Sequence, residues 1–224
     1  MWPYERGYLI NSETWSSYLS FAILVTLALL ISLPSTGKIG NSSEVITNVL
    51  MLFPFLAILL FGILAMNFGQ LEQTWLGPFG REWPLYYKHL ALQLGFLMLL
   101  MLPAWVVYQG VHHLPAARML WGLAHLFVYG VLAGLFGLLV GLRAQSEISQ
   151  FNIKYSVFLI FLFLTALWWQ PLNPFFVLMA IFGDAVLDQS GWFFVKSYLS
   201  LALLISALVW LTRRQILSLE EVLL

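Results

Sequence analysis

An all-α polytopic membrane protein with six transmembrane helices is the fold that this sequence predicts, and three observations carry the reading. Of 224 residues, 61% are hydrophobic and 9% charged, a balance that an ordinary soluble domain does not show. Mean hydropathy is +0.88. The charges are also spaced so that uncharged runs occupy 14–37, 45–71, 89–117, 119–142, 155–183 and 197–212, and a span needs roughly 20 predominantly apolar residues.

The elements follow in chain order. Before the first run, Trp2, Tyr4, Tyr8, Leu9 and Trp15 alternate loosely with Glu5, Arg6, Asn11 and Glu13. That pattern predicts an interfacial elbow over 1–14, lying in the headgroup plane. The first span, about 15–33, is read as retained, because charges precede a run long enough to cross and no convincing cleavage site follows it. The second span covers 45–66. Beyond it, Gly69 to Pro78 places polar and apolar residues at near-helical spacing, which predicts a short amphipathic helix over 69–79 halted at Gly77-Pro78. A polar turn, Gly80-Arg81-Glu82, leads back through Lys88 to the third span at 89–108.

Span four, 119–142, carries Gly130, Gly134, Gly137 and Gly141 at intervals of four, three and four, on one face where a neighbouring helix can approach closely. Span five, 155–169, is stopped by Gln170-Pro171-Leu172-Asn173-Pro174, since proline removes a backbone donor and displaces the preceding residue from helical geometry. Residues 170–191 are then too short for a crossing and form a bent, re-entrant outer segment. The last span, 192–212, reaches full length if it starts near Trp192 and Lys196 snorkels to the headgroups. Trp15, Trp83, Trp105, Trp168 and Trp169 read as interfacial anchors.

Basic residues orient the bundle. Arg6, Arg81, Lys88, Arg143, Lys154, Arg213 and Arg214 fall on one side, against Lys38, Arg118 and Lys196 on the other. This bias of seven to three places both termini in the cytoplasm. The chain reads as one transmembrane domain, 1–224, of a cell membrane.

Several classes of chemistry find no support. The formal net charge of zero gives no nucleic-acid footprint, and the absence of cysteine excludes thiolate metal sites, disulfides and a cysteine nucleophile. There is no glycine-rich phosphate loop, Gly-x-Ser-x-Gly elbow or His-Glu-x-x-His. Of the histidines, His125 alone is plainly intramembrane, so a bis-histidine haem lacks its second ligand. No Asp, Glu, Lys or Arg falls near the middle of a span, which argues against an ion-coupled carrier. Asn48, Gln93, His125 and Thr165 are the main polar groups inside spans and read as packing contacts. Catalytic, cofactor-binding and metal-binding residues are expected to be absent from this chain.

The stretch "LEQTWLGPFGREWPLYYK" and its surroundings resemble the permease subunits of type-2 ATP-binding cassette (ABC) exporters. After the second helix, that family carries a glycine, a leucine-glutamate pair, a leucine and a proline, then a basic turn and a lysine. Gly69, Leu71, Glu72, Leu76, Pro78, Arg81 and Lys88 take these places. Gln70 and Trp75 depart from the usual small hydroxylic and aliphatic residues. "YERGYLINSETWSSY" is similar to the family's elbow, "GLLVGLRAQSEISQFN" to its second cytoplasmic turn, and "LNPFF" to its signal after helix five.

The resemblance implies a transport subunit without ATPase activity. It would dimerise with a second copy or paralogue and pair with separate ABC ATPase subunits that hold ATP and Mg. Their motion would arrive at a coupling helix built from Leu71, Glu72, Trp75, Leu76, Pro78 and Arg81. Membrane lipid is the remaining partner, and the cargo implied is lipidic, amphipathic or peptide-like. The haem-exporting permease of cytochrome c maturation is a related alternative. From other classes, a lipid-modifying enzyme would have to use His89, His112, His113, Glu72 and Glu82, and a scaffold would need no site.

Overall fold

The computed structural model describes residues 12–33, 43–76, 83–143, 146–182 and 191–222, with side chains described over 15–33, 51–70, 84–143, 146–182 and 191–218. Helices α1 (Ser12–Ser32), α2 (Ser43–Leu76), α3 (Trp83–His112), α4 (Ala116–Arg143), α5 (Glu147–Trp168), α6 (Pro174–Phe182) and α7 (Gly191–Val222) follow one another. All except α6 are long and apolar enough to cross a bilayer, and no strand occurs among the described residues. The chain is therefore an all-α polytopic membrane protein. Six crossings bring the first residue of α1 and the last of α7 to the same side. Of the expected elbow, residues 1–11 lie outside the described residues, and 12–14 are already the first turn of α1.

Helix α4 is the axis of the bundle. Seventy-two per cent of its span is buried, against 11% for α7, and its most extensive contact is with α2. Glycine makes that contact possible. A Cβ on Gly137 would stand 2.7 Å from the backbone carbon and Cα of Met66, and one on Gly69 would stand 2.9 Å from the amide nitrogen of Leu138. Gly141 approaches the Gln70 carbonyl, where a Cβ would lie at 2.8 Å, while Gly130 receives the ring of Phe61 and Gly134 the side chain of Leu90. In lipid no hydrophobic effect separates helix from solvent, so close backbone approach and dispersion must hold the pair together. Each glycine costs about 1 kcal/mol of helix propensity in water, which makes packing the reason for the run.

The predicted spans are extended rather than displaced. Helix α2 continues through Pro54 and does not break at Gly69, so the described part of the expected 69–79 helix is the last two turns of α2 itself. Thirty-four residues make a rod of about 51 Å, well beyond the roughly 30 Å hydrocarbon. At its far end the chain turns after α3 with His113 in left-handed backbone, φ 51°, the position where glycine or asparagine commonly stops a helix.

Residues 170–182 form the re-entrant piece, a 3-10 turn (Gln170–Leu172) followed by α6. Nine residues of α6 reach only about 13 Å. The reason for its start is Asn173, whose Oδ1 accepts from the amides of Phe175 (3.0 Å) and Phe176 (3.4 Å) while Pro174 supplies a preset first helical residue. Its Nδ2 donates to the Leu162 carbonyl at 2.9 Å and to Thr165 Oγ1 at 3.0 Å, tying α6 to α5. The helix enters the bundle rather than lying on its surface: Phe182 stacks on Trp105 with centroids 5.6 Å apart and fills the space left by Gly122. Trp105 is thereby corrected from an interfacial anchor to a fully buried core residue. Trp15, Trp168 and Trp169 are exposed, and the side chain of Trp83 lies outside the described residues.

Gly137→Ala should destabilise the detergent-solubilised protein by about 1–3 kcal/mol, the usual cost of overpacking. Gly95→Ala, where an added Cβ meets nothing within 4 Å, should be neutral or stabilising by up to about 1 kcal/mol. Thermal unfolding of the two variants distinguishes a packing glycine from a merely permissive one.

Candidate functional site

The end of the bundle where α2 overhangs, α4 finishes and α5 begins gathers the polar groups. Ser146 caps α5, its hydroxyl accepting from the Ser149 amide at 3.2 Å. From there α5 descends along the bundle with one narrow buried stripe, Lys154, Phe158 and Thr165. Spacings of four and seven put these on one face. Beyond Ser156 its exposed side chains are apolar, Val157, Leu159, Ile160, Phe163 and Leu167 among them, as on a lipid-facing surface.

Three side chains fasten this helix to α2. Lys154 Nζ donates to Asn67 Oδ1 at 2.7 Å, the Tyr155 hydroxyl donates to the same oxygen at 3.4 Å, and Gln70 Nε2 donates to Gln150 Oε1. The Lys154 ammonium also lies 5.5 Å from the Tyr155 ring centroid. A charge at 5% exposure is costly unless hydrogen-bonded, so Asn67 is a required partner. The expectation that Lys154 belongs to a loop is corrected, since α5 starts at Glu147 and carries the residue into the buried stripe. On the neighbouring side, Tyr87 bonds Thr212 at 2.6 Å and joins α3 to α7.

Behind this latch α5 stands away from α4. A cleft of about 600 Å³ is lined by Phe136, Val140 and Arg143 of α4 and by Ser146, Ser149 and Ile153. Phe136 also borders a second chamber of about 180 Å³, with Ala133 and Leu132 on α4, Val157 and Phe161 on α5 and Leu208 on α7. Its accessible walls are wholly apolar.

Of the residues expected to couple to an ATPase, Leu71, Glu72, Trp75 and Leu76 lie on the last turns of α2, and their side chains lie outside the described residues, as do Pro78 and Arg81 entirely. Gly130, Gly134, Gly137 and Gly141 line α4 as described above. His89 and His112 stand at opposite ends of α3, 23 residues and about 35 Å apart, so they cannot share one active site. His112 packs on Tyr108, centroids 4.7 Å apart. His125 is fully buried, edge-on to Tyr198 with centroids at 6.0 Å, and among the described residues its ring nitrogens have no hydrogen bond. Gln93 is likewise buried without one, Thr165 bonds the Phe161 carbonyl at 2.7 Å, and the Asn48 side chain lies outside the described residues. Among the described residues no group of three His, Asp or Glu could hold a metal ion.

Sequence reasoning missed the latch. The signal was present as polar residues at helical spacing, Asn67 with Gln70 and Gln150 with Lys154, but only the fold shows that the two pairs face each other. Comparison with protein-family models, curated proteins and solved structures finds no match. What fold and site define is a class alone, a six-span helical membrane protein with a polar latch and a lateral cleft at one end.

Asn67→Leu should cost about 2–3 kcal/mol because it leaves Lys154 buried without its acceptor. Adding Lys154→Met should recover most of that loss, since both polar partners are then gone. A double-mutant cycle by thermal unfolding reads the coupling, and additive losses would remove the latch from the account.

Proposed function

We propose that this chain is the membrane-spanning subunit of an ATP-driven exporter of the type-2 ABC class, with ATP and Mg held by separate ATPase subunits. The supporting observation is the unbroken course of α2. A helix that begins in the bundle and runs 34 residues, past the end of its uncharged run at Leu71, delivers displacement of its tip to whatever grips its shaft. Two grips are available, the glycine contact to α4 and the Asn67 and Gln70 bonds to α5. Packed helices with rigid connections are the physical route by which coupling travels.

In this reading the part of 69–79 beyond Gln70 docks on the ATPase at the cytoplasmic face, both termini share that face, and a second copy or paralogue completes the permease. The membrane is a bacterial or archaeal inner membrane. Cargo of lipidic, amphipathic or peptide-like character suits a bundle whose lateral cleft is polar at the mouth and apolar within.

Leu76→Asp should weaken copurification with the ATPase by about thirtyfold, the effect of losing an interface anchor of some 2 kcal/mol. Glu72→Gln should cost less, and Lys196→Gln at the opposite end should cost nothing. Substrate-linked ATP hydrolysis in reconstituted membranes should follow the same order. Variants that stay folded with binding and coupled hydrolysis intact would contradict the proposal, and retained binding without any coupled hydrolysis in the parent chain would favour a scaffold.

A further inference from the structure

The cleft between α4 and α5 and the chamber that borders it at Phe136 place two different environments side by side. Beside the cleft stand the exposed Arg143 and the hydroxyl-bearing Ser146 and Ser149, and it shares Phe136 with the second chamber, whose accessible walls are wholly apolar. The Arg143 guanidinium has no hydrogen-bond or ion-pair partner among the described residues. Glu147, the neighbouring carboxylate, is exposed and does not line the cleft. From Arg143 to Leu132 the course along α4 is about 16 Å, the scale of a long acyl chain rather than of a headgroup alone.

We propose that this cleft binds one anionic phospholipid of the surrounding bilayer, its phosphate at Arg143 with Ser146 and Ser149 and one acyl chain passing Phe136 into the chamber between Ala133, Val157 and Phe161. Charge complementarity selects the occupant. A cationic group at the membrane surface beside an apolar slot attracts an anionic headgroup, and the guanidinium matches phosphate oxygens in a forked geometry. An acyl chain also supplies the dispersion contacts that the chamber walls otherwise lack. The latch at Asn67, Lys154 and Tyr155 holds the cleft open at fixed width, because it fixes the mouth end of α5 against α2 rather than α4. The site stands whether or not an ATPase couples to α2.

The test uses the full chain in detergent, with phosphatidylglycerol and phosphatidylcholine as probes in native mass spectrometry. A second measurement uses phosphatidylglycerol carrying a photoreactive group in one acyl chain. The parent chain should retain phosphatidylglycerol in preference to phosphatidylcholine, with acyl adducts on 132–136 of α4 or 157–161 of α5. Arg143→Gln should lower phosphatidylglycerol retention about tenfold, as loss of a charge-assisted bond does, and Lys196→Gln should leave it unchanged. Ala133→Phe should abolish the acyl adducts while leaving the Arg143 effect in place. Equal retention of the two lipids, adducts elsewhere on the chain, or equal losses with Arg143→Gln and Lys196→Gln would each overturn the site; the Arg143 comparison does so even if Ala133→Phe fails to fold, since Arg143 is exposed.

Discussion

Close contact between the backbones of α2 and α4 is the constraint on which the rest of the structure depends. Gly69 and Gly134 meet from opposite helices, and Gly137 accepts the backbone of Met66. No larger residue permits that distance, and in lipid nothing else would draw two such helices together so tightly. Once they are in contact, the remaining helices take their places around them. Helices α1 and α3 pack against α2, α7 packs against α4, and α6 inserts between them from the end opposite the latch. The short helix can enter because Gly122 leaves room for Phe182 and because Asn173 satisfies both its first amides and the end of α5.

Helix α5 is the exception, and its looseness is informative. With three buried residues it is joined to the bundle chiefly at its ends, by the Asn67 and Gln70 bonds at one and by Asn173 with Thr165 at the other. Between these lie the lateral cleft and the apolar chamber. An element held at two points by polar bonds, with little interior packing, belongs to the less stable part of a fold, the part from which moving elements are drawn. The arrangement connects the overhanging end of α2 to a helix with little interior packing of its own.

Much of this was legible in the sequence because lipid enforces simple rules. Charge spacing located six crossings, and prolines with Asn173 ended α5 within a residue of its observed stop at Trp168. The glycine spacing in α4 pointed to a tight contact but could not name the partner, since Gly69 had been assigned to a separate amphipathic helix. Helix ends were set too short wherever polar residues were taken for loops. Lys154 and Asn67 show why: a bilayer-facing rule penalises polar side chains, whereas two of them facing each other satisfy the cost within the protein. Trp105 failed by the same logic in reverse. Aromatic residues near helix ends usually anchor at the interface, but the re-entrant Phe182 covers this one.

The central claim is that α2 is one rod, gripped by α4 and continuous to Leu76. Amide hydrogen exchange of the chain in lipid nanodiscs tests it most directly. Amides 70–74 should be protected as part of α2, and Gly137→Leu should strip that protection by loosening the grip on Met66. If 70–74 exchange as freely as an open segment in the parent chain, or keep their protection when Gly137 is replaced, the rod and its anchorage on α4 are contradicted.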